Sequence, residues 1–232
     1  MLTRNINRCL KSSSRSLSNI VFNRDLKRRH REYALKLDGG NYYDYLRQES
    51  AANLADRLED ITRSFPKALE LGSFRGELSK HITSRENMRG DSGGGVGGIK
   101  ELIQHDFVPL ELNGLDMVDG QAVIEEPGVP GLVELSKKSF EEEQGLPFED
   151  GTFDLVMSSL SMHWVNDLPL LLKRVKSVLK PDGAFVASMF GGNTLRELRY
   201  CFYLAEQERR GGLSPHASPL AKVRLFAYNY ST

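Results

Sequence analysis

The chain has 232 residues, 31 basic and 31 acidic side chains, and 40% hydrophobic residues. That length suffices for one domain with a substantial core, a zero net charge gives no whole-chain attraction to nucleic acid, and no apolar run approaches the roughly 18 residues of a membrane span. Two cysteines, Cys9 and Cys201, make no disulfide framework, and the histidines show no ligand spacing, so no metal is expected.

The N-terminus carries Arg4, Arg8, Lys11, Arg15 and Arg24 before its first acid, Asp25, with Ser12, Ser13, Ser14, Ser16 and Ser18 between them. Basic, serine-rich and acid-free is the composition of a mitochondrial transit peptide. Residues 1–20 are expected to direct import to the matrix and to be removed there. With no transmembrane segment, peripheral association is the form any contact with the inner membrane is expected to take.

Residues 21–66 read as a helical segment. Val21 to Arg31 is basic, Tyr42, Tyr43, Tyr45 and Leu46 open a second helix, and Leu54, Leu58 and Ile61 share a face until Phe65-Pro66 ends it. Lys67-Ala68-Leu69-Glu70-Leu71 reads as the first strand. Gly72-Ser73-Phe74-Arg75-Gly76 follows at once, and Glu77 to Ile82 starts a helix. A glycine-bearing loop between strand and helix lets the backbone approach a ligand.

Residues 88–98 (MRGDSGGGVGG) lack the Gly-Lys-Ser/Thr ending of a phosphate loop and read as part of an insertion over about 85–110. Leu110 to Asp116 is then the expected second strand. An acid at its end suits the ribose hydroxyls of a nucleoside ligand, with Asp116 the candidate and Asp119 its competitor. Residues 121–134 look irregular, and Glu141-Glu142-Glu143 leads into Leu146-Pro147-Phe148.

The most informative run is Leu146 to Gly192. Phe153 to Met157 is a short apolar strand. Leu168, Leu171, Leu172, Val175, Val178 and Leu179 follow helical spacing, with Lys173, Arg174 and Lys176 on the other face. Pro181-Asp182-Gly183 turns the chain, and Ala184 to Met189 is a further strand. Strand–helix–strand at this spacing is a parallel unit of the α/β class. Ser158, His163 and Trp164 lie at the C-terminal end of the first of these strands, where open parallel sheets bind ligands. A lone histidine beside an aromatic is more often structural, and Trp164 suits packing better than reaction. The charged helix after Phe190-Gly191-Gly192 is expected to cap that edge.

The segments LPF…FDLVMSSLSMHWVND, LKPDG and FVASMFGG resemble the class I S-adenosylmethionine-dependent methyltransferases. SSLSMHWVNDLP, MFGGNTLRELR and AEQERRGGLSPHASP narrow the resemblance to the mitochondrial complex I assembly factor with a methyltransferase fold. A weaker likeness is to the malonyl-acyl-carrier-protein methyltransferase of biotin synthesis. The resemblance implies a Rossmann-like domain over residues 67–232 that binds S-adenosylmethionine. Glu70, Gly72, Ser73 and Gly76 would then hold its amino-acid end, Asp116 its ribose, Glu142 its adenine amino group, and Ser158 the strand edge beside it. His163 and Trp164 would line the mouth as catalytic candidates. The implied role is hydroxylation of an arginine on a complex I subunit. A non-catalytic assembly chaperone and a small-molecule or acyl-carrier methyltransferase are the alternatives. Two departures stand out. Phe74 replaces the family's central glycine and should crowd the ligand. The chain also supplies about five strands where the superfamily sheet has seven, as in a product truncated at its C-terminus.

Overall fold

The structure, a computed structural model, describes residues 21–36, 44–83, 95–106, 117–118, 121–122, 133–135, 146–212 and 218–221. Helices α1 (Arg24–Lys36) and α2 (Tyr45–Glu59) lead into β1 (Lys67–Leu71) and α3 (Glu77–Thr83). Strand β2 (Glu101–His105) follows, then β3 (Met117–Val118), β4 (Gln121–Ala122) and β5 (Val133–Leu135). The second half contributes β6 (Phe153–Ser159), α4 (Leu168–Val178), β7 (Leu179–Ser188) and α5 (Arg196–Arg210).

Five strands form one sheet in the order β5-β2-β1-β6-β7, every neighbouring pair parallel, while β3 and β4 form a separate antiparallel pair. The chain builds outward from β1 in one direction and then from β6 in the other. The two halves therefore meet at β1 and β6, and their C-terminal ends form the crevice that such sheets use for ligands.

Both faces of the sheet are covered. On one, Ala51, Leu54 and Leu58 of α2 and Leu78 and Ile82 of α3 pack with Ala68, Leu102, Leu155 and Met157. On the other, Leu171, Leu172, Val175 and Val178 of α4 pack with Leu69, Ile103, Phe153 and Val156. Burial on both faces explains why β6 reads as a mostly apolar run rather than an alternating one. Helix α4 starts where the Asp167 carboxylate accepts from Leu170 N–H at 2.9 Å, a side-chain cap for an otherwise unpaired donor. Its buried stripe at Leu171, Leu172, Val175 and Val178 leaves the lysines and arginine outside. A register shift near Phe153 and Leu155 accommodates the Pro181-Asp182-Gly183 turn inside β7.

The expected second strand requires correction. The place beside β1 belongs to Glu101–His105, paired from Lys67↔Glu101 to Leu71↔His105. These residues fall within the stretch read as an insertion. The run Glu-Leu-Ile-Gln-His has only two apolar side chains, because Gln104, His105 and the following Asp106 are polar groups buried at the sheet edge. Leu110 to Asp116 lies outside the described residues, as do Asp119, Glu142 and residues 1–20. Strand β5 was also missed, in the stretch read as irregular. The last helix, expected to cap the ligand edge, is largely exposed. Along α5 only Glu206 is buried, and Leu198, Tyr200, Phe202, Tyr203 and Leu204 are exposed.

Candidate functional site

The loop after β1 is held close to the rest of the sheet edge. Gly72 N–H donates to the His105 carbonyl at 2.7 Å, tying the end of β1 to the end of β2. Its φ of +75° is left-handed, and a Cβ there would lie 1.9 Å from Ser161 Oγ, so only glycine lets the loops after β1 and β6 touch. Gly76 also has a left-handed φ, +71°, and its N–H closes the turn onto the Ser73 carbonyl at 2.9 Å. The Ser73 hydroxyl is buried without a hydrogen-bond partner. Ser158, fully buried, donates its hydroxyl to the Leu71 carbonyl at 2.9 Å and braces β6 against β1.

Glu70, one residue before the end of β1, is buried and accepts from Gln104 Nε2 at 2.9 Å. Burial pushes its carboxyl up to about 7; the Gln104 hydrogen bond opposes this, and the negative charges of Asp106 and Glu77 add to it. The glutamine bond therefore partly compensates a costly burial.

The acid at the end of β2 is Asp106, with its side chain inaccessible to solvent. Arg31 of α1 reaches it twice, Nη1 to Oδ1 and Nη2 to Oδ2, both at 2.8 Å. The Phe74 N–H donates to the same carboxylate. The sequence reading named Asp116 as the acid at the end of the second strand, a residue that lies outside the described ones. The recoverable signal was an acid directly after a short strand containing Leu102 and Ile103.

Phe74 has φ +53°, the left-handed region its glycine counterpart adopts freely. Its ring is buried under three guanidinium groups, Arg47 at 4.3 Å, Arg31 at 4.9 Å and Arg75 at 5.7 Å from the ring centre. The ring thus pins α1 and α2 to the loop. Phe74→Gly is expected to lower stability by about 2–3 kcal/mol. Relief of a left-handed φ is worth about 1–2 kcal/mol, whereas deleting a buried Phe side chain costs about 3–5 kcal/mol. Urea melts of the two proteins measure the difference, and an equally stable glycine variant would show that the arginine stack contributes nothing.

His163 and Trp164 lie together in a one-turn 3-10 segment after β6. His163 is buried, and its Nδ1 has no hydrogen-bond partner. Burial first, then the positive charges of Arg47, Lys27 and Arg31, push its pKa down to about 4, so the ring is neutral at physiological pH. It borders an open cleft of about 280 Å³ that includes Phe22, Asn166, Met189 and Leu220. A second, smaller cavity of about 10 Å³ lies between Leu71, Gly72, His105, Ser158 and Ser161. Trp164 serves as an anchor for α1. Lys27 Nζ sits 3.5 Å from its ring centre, Arg24 donates to its carbonyl at 3.0 Å, and Phe22 meets it edge-on at 5.4 Å. Asn166 fastens the same segment through its bonds with Phe22.

The structure thus brings together Glu70, Gly72, Ser73, Gly76 and Ser158 around one sheet edge, with His163 and Trp164 at its flank. It adds Asp106, Arg31 and Arg47, which sequence reasoning did not select. Among the described residues no group of three His, Cys, Asp or Glu side chains is placed to hold a metal ion, and no helix is long and apolar enough to cross a membrane.

A methyltransferase-domain family model matches residues 91–187. The mouse (Mus musculus) protein named arginine-hydroxylase NDUFAF5, mitochondrial, is 40% identical over 213 residues, 91% of this chain and 54% of that protein. The zebrafish (Danio rerio) protein of that name is 38% identical over 220 residues, 95% of this chain and 60% of that protein. The chain spans about half the length of these curated relatives. Among solved structures, phospholethanolamine N-methyltransferase 2 of Haemonchus contortus, in complex with phosphomonomethylethanolamine and S-adenosylhomocysteine, gives a TM-score of 0.57. It is 16% identical and covers 88% of this chain and 43% of that one. The domain therefore has the Rossmann-like methyltransferase fold.

Proposed function

We infer that this chain, a homologue of the mitochondrial arginine-hydroxylases, is an S-adenosylmethionine-binding, methyltransferase-like enzyme that acts in the assembly of respiratory complex I. In this reading it works in mitochondria and modifies, by hydroxylation, an arginine of a complex I subunit. The identity over 91% of the chain supports the assignment of role. The observation that carries the cofactor reading is the juxtaposition of the Gly72–Gly76 loop with the buried Asp106 carboxylate across adjacent strand ends.

The residues present fit such a cofactor. The loop offers close backbone approach at Gly72 and Gly76, and the Ser73 hydroxyl lacks a partner. Asp106, which accepts from Arg31 and Phe74, stands at the strand end where a carboxylate suits a ribose hydroxyl. Glu70 and the loop would hold the amino-acid end. Ser158 would keep β1 and β6 at the separation the ligand needs. When bound, S-adenosylmethionine supplies an electrophilic methyl group on a positively charged sulfur. The neutral His163 is suited to accept or donate a hydrogen bond at the mouth, where a protein side chain would enter the larger cleft. The smaller cavity falls far below the roughly 300 Å³ at which ligand pockets begin, so in this reading the residues around it move apart when the cofactor binds.

Calorimetric titration with S-adenosylmethionine is expected to show saturable one-to-one binding. The absence of heat at hundreds of micromolar would remove the cofactor from the reading. The role is tested separately by mass spectrometry of complex I subunits from cells lacking the chain. Loss of an arginine hydroxylation is expected, and an unchanged modification pattern would overturn it.

A further inference from the structure

Helix α1 turns its basic side inward. Arg24, Lys27 and Arg31, spaced i, i+3 and i+7, share one face and are partly enclosed, while Leu26 and Tyr33 on the other side are 48% and 65% exposed. An ordinary surface helix does the reverse. Arg24 donates to the Trp164 carbonyl and Arg31 pairs with Asp106. Lys27 has no carboxylate within ion-pair distance among the described residues. Its ammonium sits in the corner between two rings, 3.5 Å from the Trp164 centre and 5.8 Å from the Phe22 centre. The ring faces attract a cation, but an ammonium has three N–H donors that an anion would satisfy better. Burial pushes the Lys27 pKa down, and no acid opposes it.

That corner lies beside the larger cleft. Phe22 is one wall of the cleft, and His163, another wall, packs on Trp164 with ring centres 4.9 Å apart. The field there is positive, since Arg47, Lys27 and Arg31 all act on His163. The function proposed above brings an arginine to this mouth, and a guanidinium arriving alone meets like charge. A segment that carries its own acid removes that difficulty. We propose that Lys27, held on the Trp164 ring, receives an aspartate or glutamate of the substrate protein and so selects an arginine with an acid close to it in sequence. Resting on the function proposed above, this names the class of segment that the same mouth takes. The contact of Lys27 with Trp164 and that of Trp164 with His163, laid end to end, bound the distance from the ammonium to the His163 ring. An extended chain advances about 3.3 Å per residue, so the acid falls within about three positions of the arginine.

The test uses fluorescein-labelled peptides of glycine and serine around a single arginine, with either aspartate or asparagine two positions after it. Fluorescence anisotropy with the full chain is expected to show the aspartate peptide binding about three- to tenfold tighter, between the value of an exposed ion pair and that of a charge-assisted hydrogen bond. Lys27→Met keeps an unbranched side chain over the Trp164 ring and removes the charge, and should bring the two peptides to within about twofold of each other. Arg29→Gln removes a charge of the same sign from the exposed outer face of α1 and should leave the preference intact. Circular dichroism melts establish that the variants are folded, and Lys27→Arg, which should keep the preference, provides the reading where Lys27→Met is not. Equal affinity for the two peptides in the parent, no binding of either at hundreds of micromolar, or equal losses from Lys27→Met and Arg29→Gln would overturn the proposal. So would Lys27-dependent binding to vesicles of phosphatidylcholine and cardiolipin without a preference between the peptides, which would give the cation to a lipid surface. Loss of an arginine hydroxylation in cells lacking the chain, together with no aspartate preference, overturns this proposal alone. An unchanged modification pattern defeats the function itself, whatever the peptides show.

Discussion

Asp106→Ala is expected to destabilise the domain by about 3–5 kcal/mol, the usual cost of removing one partner from a buried ion pair. The Asp106 side chain is fully inaccessible and that of Arg31 only 19% exposed, so the abandoned guanidinium cannot turn fully to water. The loss extends to the backbone, because Phe74 N–H donates to the same carboxylate. Three segments distant in sequence are joined at that group: α1, the glycine loop and the end of β2. Domains of this size are stable by about 5–15 kcal/mol, so the variant should melt well below the parent. Asp106→Asn keeps an acceptor for Phe74 N–H and should recover part of the loss. Urea denaturation of the parent and both variants gives the three values. A cost below about 1 kcal/mol for alanine would mean that the Arg31–Asp106 pair behaves as a surface pair does.

The same substitution bears on function. If Asp106 holds the ribose, Asp106→Asn should weaken binding of S-adenosylhomocysteine and of 5′-methylthioadenosine alike, since both contain that sugar.

How legible the site was depended on where its polar groups fall. Strand β1, the Gly72–Gly76 loop and the Phe153-to-Ser188 unit were readable because their patterns match their periods. Continuous apolar runs bury on both faces, glycines mark left-handed turns, and α4 repeats every three to four residues. Strand β2 was missed for the opposite reason. A strand that ends in Gln104, His105 and Asp106, all buried, carries polar residues that erase the apolar signal that identifies a strand. The neighbouring glycine-rich run then drew the boundary too far along the chain. The arginine stack was illegible for another reason. Nothing in the spacing of Arg31, Arg47, Phe74 and Arg75 foretells that two helices fold back onto one loop. Phe74 did stand out as a departure from a glycine pattern, but only the folded arrangement shows which neighbours its ring has.

Glu70→Gln is expected to change the pH dependence of stability strongly. The Glu70 carboxyl ordinarily titrates near 4.5 and is raised to about 7 in the fold, chiefly by burial. Below about 4.5 both the folded and unfolded chains hold the proton, and the raised pKa carries no penalty. As pH rises from 4.5 to 7 the unfolded chain gives up its proton while the folded one retains it, so stability falls by about 1.4 kcal/mol per pH unit. Above 7 both forms are ionised and the loss levels off at about 3 kcal/mol. Glutamine cannot ionise, and its carbonyl can still accept from Gln104 Nε2. The stability of Glu70→Gln relative to the parent should therefore rise by about 3 kcal/mol between pH 4.5 and 7 and then stay constant. His105 and His163, both lowered to about 4, slope the other way. They contribute stability that is present above 6.5 and lost as pH falls through 4, and this cancels between two proteins that share them. Chemical denaturation at half-unit steps of pH resolves the difference. A constant offset across the range would show that the Glu70 carboxyl titrates at its ordinary value. A raised pKa has a consequence at the site as well. A cationic amine placed beside Glu70 favours the ionised form, so a ligand with such an amine would release a proton from the protein near neutral pH. Proton release that persists in Glu70→Gln would have to come from another group.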